Sequence, residues 1–132
     1  MDVLKVNDTY HILLDKAQSI IEDKQEVIKV LAKAEKRLQE FPEGMSGPDK
    51  MELMLEMVKA YLNKEYPITN EKALCAILAA AIYLSDDGGI ISNDVPIIGF
   101  MDDVALIDLA YRDCENEVKA YGLWKKNRGG II

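Results

Sequence analysis

Residues 83–103 read YLSDDGGIISNDVPIIGFMDD, and the rest of the chain is organised around them. This is the longest stretch that cannot be read as regular helix. It holds three of the eight glycines and five acidic side chains, and helical patterns lie on both sides. On its N-terminal side, Ala73–Leu84 is an unbroken apolar run of twelve residues. A helix that is apolar all round belongs at the centre of a bundle, and twelve residues are too few to span a bilayer. On its C-terminal side, Val104, Ile107, Tyr111, Cys114, Val118 and Tyr121 recur at the period of one helix face. Asp102 or Asp103 is placed to start that helix by accepting from its free N–H groups. Gly122 is placed to end it, with Leu123 folding back, and the basic tail 125–132 is expected to fray, with Trp124 available to dock on the body.

Upstream, residues 1–8 read as a lead-in capped by Asn7 or Asp8. Leu13, Ala17, Ile20, Val27, Leu31, Ala34, Leu38 and Phe41 then alternate spacings of three and four, apart from one interruption at Lys24. No Gly or Pro falls between Thr9 and Phe41, so residues 9–41 are either one helix or two that break near Glu22–Lys24. The continuous or gently kinked form is expected, and a helix of that length suggests homodimeric pairing. Pro42, Gly44, Gly47 and Pro48 form the next connection, with Pro48 suited to a first helical turn. Met51, Met54, Leu55, Val58, Tyr61 and Leu62 face inward from the helix that follows. Tyr66-Pro67 ends it, and Asn70 caps the next. Period-2 alternation appears only weakly, at Val95–Phe100. The expected class is all-α: a compact single-domain bundle of four or five helices, with an ordered Pro/Gly/Asp loop between the last two long ones.

The chain has 132 residues and a net charge of −7, which disfavours nonspecific nucleic-acid binding. Between residues 86 and 117 there are nine acids and one base, so the acidity belongs to the loop and the helix after it. A cationic partner or a metal would be drawn there. The N-terminus shows neither a basic lead nor an unbroken apolar run, so no signal peptide is expected. Cys75 and Cys114 lie on apolar helical faces and are expected to be reduced core thiols of a cytoplasmic protein.

The acidic loop admits several chemistries. A calcium loop of EF-hand type fails: with Gly89 at the glycine position, Leu84, Gly88 and Val95 fall where oxygen ligands are needed. A different divalent-cation site remains open if Asp86, Asp87, Asp94, Asp102 and Asp103 converge, and such carboxylates could also serve metal-dependent hydrolysis. Against this, Asp before Gly is ordinary turn chemistry and paired Asp at a helix start is ordinary capping. His11 stands alone in the first helix. There is no paired Cys/His metal spacing, no phosphate loop and no nucleophile elbow.

The segment from Asp94 to Ala105, DVPIIGFMDDVA, resembles the core motif of the YkvA-like family (domain of unknown function 1232). That motif runs as an aromatic, a polar turn, D-x-I-P-D, then x-x-P-x-x-G-x-x-D-D-A. Pro96, Gly99, Asp102 and Asp103 match at the right spacing, and Tyr83 fits the aromatic. The first half departs: Gly89 and Asn93 stand where the family has Asp, and Ser92 where it has Pro, while Ile91 keeps the apolar position. The resemblance covers residues 73–112. It implies a small helical domain, found alone or beside other modules, with no established activity and with some relatives at membranes. The motif also has a physical logic of its own. Pro96 holds Val95 extended, Gly99 allows a close backbone approach, and Ile97, Ile98 and Phe100 can plug the end of a core. The leading expectation is therefore a non-enzymatic protein-interaction or regulatory module without a cofactor, its protein partner not named by the sequence. The alternative is a site for a divalent cation in the loop at 86–103.

Overall fold

A computed structural model describes residues 3–44, 46–85 and 101–130 of the chain, with side chains described for 6–44, 46–85 and 103–127. Among these residues are five helices: α1 (Val3–Ile20), α2 (Lys24–Gln39), α3 (Pro48–Leu62), α4 (Glu71–Ser85) and α5 (Met101–Gly130). No strand occurs among the described residues, and the all-α bundle expected from the sequence is what forms. The weak alternation at 95–100 lies outside the described residues.

α4 is the centre. Every residue from Ala73 to Leu84 is buried, and α1, α2 and α5 all pack against it. Four alanines (Ala76, Ala79, Ala80 and Ala81) let these neighbours approach closely from several sides. Asn70 caps α4 as the sequence suggests, its Oδ1 accepting from the N–H groups of Lys72 at 3.0 Å and Ala73 at 3.3 Å. α3 completes the bundle against α5, α2 and α4, burying Met51, Met54, Leu55, Met57 and Val58.

Several boundaries differ from the sequence reading. α1 begins at Val3, so the lead-in is mostly helix and neither Asn7 nor Asp8 caps it. The expected continuous helix over residues 9–41 is two helices. Asp23 takes an extended conformation, with ψ 91°, and its carboxylate accepts from the Glu26 N–H at 3.2 Å. A capping side chain thus breaks the run where no Gly or Pro marks it. α3 stops at Leu62, short of Tyr66-Pro67, in a turn that carries Lys64 at φ 62°.

α5 does not end at Gly122 but runs on to Gly130, and Leu123 is 62% exposed instead of folding back. The reason is an aromatic cluster. Trp124 packs on Tyr66 with ring centroids 5.0 Å apart and on Tyr121 at 5.6 Å, which anchors the turn beyond the glycine. The Glu115–Lys119 pair forms at 3.2 Å, whereas Asp108 turns to Lys50 at 3.5 Å and Arg112 to Asp113 at 3.5 Å.

Candidate functional site

The candidate residues are distributed unevenly with respect to the structure. Asp86, Asp87, Asp94, Pro96 and Gly99 lie outside the described residues, as does any convergence of the five aspartates. Asp102 falls in the first turn of α5, its side chain also outside that set. Tyr83 and Asp103 are described. They stand at the two ends of the motif, Tyr83 in the last turn of α4 and Asp103 in the first turn of α5, and both are buried.

Asp103 is 3% exposed, which is costly for a carboxylate unless it is paired. Its partner comes from α2. Arg37 directs both Nε, at 3.0 Å, and Nη2, at 2.9 Å, to Asp103 Oδ2. The guanidinium is itself pinned at its outer edge by Glu40 at 3.5 Å. A charge-assisted pair of this kind is stronger than a neutral hydrogen bond and fixes orientation as well. α2 presents Arg37 here because it precedes buried Leu38 on the edge of the apolar seam, where the stem can lie along the core while the head reaches α5. Close by, Gly47 adopts φ 112° at the start of α3. A Cβ there would lie 3.4 Å from the Val104 side chain, so the turn before α3 sits directly against the start of α5.

A second polar contact crosses the core. Tyr10 of α1, 1% exposed, donates its hydroxyl to Asp113 Oδ2 of α5 at 2.7 Å. Burial, and then the hydrogen bond to that carboxylate, hold the phenol well above its ordinary range. It therefore remains a neutral donor. Sequence pattern marks Tyr10 and Arg37 only as residues on or beside an apolar seam; their partners on α5 carry no local signal.

Neither cysteine is suited to nucleophilic chemistry. Burial, then Glu117 and Asp113, pushes the Cys114 thiol up to about 12, and its Sγ contacts Met54 Sδ at 3.5 Å. Cys75 is shifted in the same direction by burial and then by Glu71. A thiol so shifted is not a thiolate at neutral pH. Among the described residues, no group of three or more His, Cys, Asp or Glu side chains stands close enough to hold a metal ion. An open depression of about 510 Å³ between α3 and α5 includes Trp124 in its lining and is rimmed by an ion pair, Lys125–Glu56 at 2.6 Å.

The uncharacterized membrane protein YkvA of Bacillus subtilis (strain 168) is 29% identical to this chain over 70 residues. The match covers 53% of this chain and 66% of that relative, a little under two thirds of its length. It supports a YkvA-like relationship over part of the chain. No protein-family model matches, and no solved structure matches.

Proposed function

We propose that this chain is a non-enzymatic interaction or regulatory module, cytoplasmic, built on a YkvA-like helical bundle. The observation that carries the reading is the state of Asp103. Of the five aspartates that could form a cation site, it is the one whose side chain is described, and Oδ2 is already held by a guanidinium. A positive charge within 3.0 Å of that oxygen opposes a divalent cation at the same place. The pair instead ties α5 to α2. The shifted thiols agree with a structural use of the core. The finer placement in domain of unknown function 1232 is part of the same proposal. It is supported by Tyr83 closing α4 and by Asp102 and Asp103 opening α5, the positions the motif assigns to them. The relative is named a membrane protein; in this chain no helix among the described residues is long and apolar enough to cross a membrane.

The test is calorimetric titration of the purified chain with Mg²⁺, Mn²⁺, Ca²⁺ and Zn²⁺. No saturable binding is expected. A tight isotherm for any of the four, abolished by Asp103→Asn, overturns the reading in favour of a metal site.

A further inference from the structure

α1 and α2 each bury one side against α4 and turn the other to solvent. The outward side of α1 carries Asp8, Ile12 and Asp15, and Glu22 follows in the connection to α2. The outward side of α2 carries Ile28, Lys29, Ala32, Lys33 and Lys36, and every one of these residues is exposed. Asp8, Asp15, Glu22, Lys29 and Lys36 follow one another at a constant step of seven. Within each helix that step returns to nearly the same face, which places Asp8 with Asp15 on α1 and Lys29 with Lys36 on α2, while Glu22 lies in the connection between them. The series is acidic through α1 and the connection, then basic along α2. Glu22 is its midpoint, with Asp15 and Lys29 at one step on either side and Asp8 and Lys36 at two.

The two charged sets do not satisfy each other within one molecule. Among the described residues, Asp8, Asp15, Glu22, Lys33 and Lys36 take part in no ion pair, and Lys29 reaches only Glu26, at 3.8 Å. Beside them stand Ile12, 62% exposed, and Ile28, 43% exposed, two of the three large hydrophobic residues left open to solvent among the described residues. An acidic face on α1 and a basic face on α2 are complementary to a copy turned through 180°, which sets α1 of one against α2 of the other and brings the two Glu22 carboxylates, the one like-charge meeting in the series, towards the axis.

We propose that the outward faces of α1 and α2 are where two copies of this chain pair as a symmetric dimer. α1 of one copy lies antiparallel to α2 of the other. Asp8 then faces Lys36 and Asp15 faces Lys29 across the contact, twice over by symmetry, and Ile12 and Ile28 are shielded from water. The proposal rests on reading the chain as an interaction module and names a second copy as its partner. It needs no unbroken helix over residues 9–41, because the break at Asp23 supplies two faces of opposite sign.

Sedimentation analysis of the full chain tests it, at high micromolar concentration in low and high salt, with Asp15→Lys, Lys29→Asp and the double variant. Both substitutions are at exposed positions, and circular dichroism is expected to show unchanged helix content in all three variants. The wild type is expected to dimerise at low salt and to weaken as salt screens the pairs. Each single reversal should raise the dissociation constant about tenfold, and the double variant should recover most of that loss. A wild-type monomer under these conditions overturns the proposal. So does a dimer indifferent to the single reversals, or a double variant no better than either single. The metal titration is independent of mass. A monomer with flat isotherms removes only the dimer, whereas a tight metal isotherm removes the module reading whatever the oligomeric state.

Discussion

Arg37 and Asp103 are 66 residues apart in the chain, yet two guanidinium nitrogens of one lie within 3.0 Å of a single carboxylate oxygen of the other. The two ends of this contact differ in exposure. The Asp103 side chain is 3% exposed and that of Arg37 28%. Removing the cation therefore takes the guanidinium away from a buried anion, while removing the anion leaves a cation that can still reach water. Arg37→Met is expected to cost about 3 kcal/mol of unfolding free energy, and Asp103→Asn less, about 1–2 kcal/mol. Urea denaturation of the two variants reads the order directly.

Gly47 and Gly122 are expected to respond to alanine with opposite signs. Gly47 sits at φ 112° with Val104 close to where a Cβ would go, so Gly47→Ala is expected to destabilise by at least about 1 kcal/mol. Gly122 lies inside α5, without positive φ and with no atom within 4 Å of an added Cβ. Gly122→Ala should raise stability by about 0.5–1 kcal/mol. A loss at Gly122 would instead place a left-handed helix end there, as the sequence alone suggests. Thermal melts of both variants decide it.

Above pH 9 the core thiol becomes a liability. Burial raises the Cys114 thiol from an ordinary 9.0 to about 12, so ionisation is easier in the unfolded chain than in the folded one. The stabilisation linked to the neutral thiol is fully present below pH 9 and is lost as pH rises towards 12. The slope from one such group is at most about 1.4 kcal/mol per pH unit. The same sign applies to Tyr10 at higher pH, so the comparison must be made within one background. Cys114→Ala is expected to lower stability at pH 8 through the cavity it leaves and to flatten the fall between pH 9 and 11, followed by denaturant titration at each pH.

Trp124 secures the last turns of α5 through Tyr66 and Tyr121. Trp124→Ala is expected to cost about 1–2 kcal/mol, and amide exchange from Leu123 onward should rise sharply while α4 stays protected. Unchanged exchange in that segment would mean that α5 holds itself without the aromatic cluster.

What was legible in the sequence follows from the range of the interaction behind it. The all-apolar run 73–84 announced a central helix, because burial on every side leaves no polar positions. Asn70 was readable as a cap because its partners lie two and three residues away. The break at Asp23 was harder. A cap inside a periodic run competes with helix continuation, and only the packing of both halves on α4 settles which prevails. The sequence pattern places the end of α5 at Gly122 because the anchor past it involves Tyr66, from a distant connection. At the site, Tyr83 and Asp103 were found from their place in a motif. Arg37 was not, since nothing in the sequence near α2 indicates a carboxylate on α5.

The central claim is that Asp103 serves to bind α5 to α2 through Arg37. A double-mutant cycle of Arg37→Met and Asp103→Asn, read by urea unfolding, tests it most directly. The account predicts a coupling free energy of at least about 1.5 kcal/mol, with the double variant more stable than the two single losses summed. Additive losses, with coupling near zero, would contradict it.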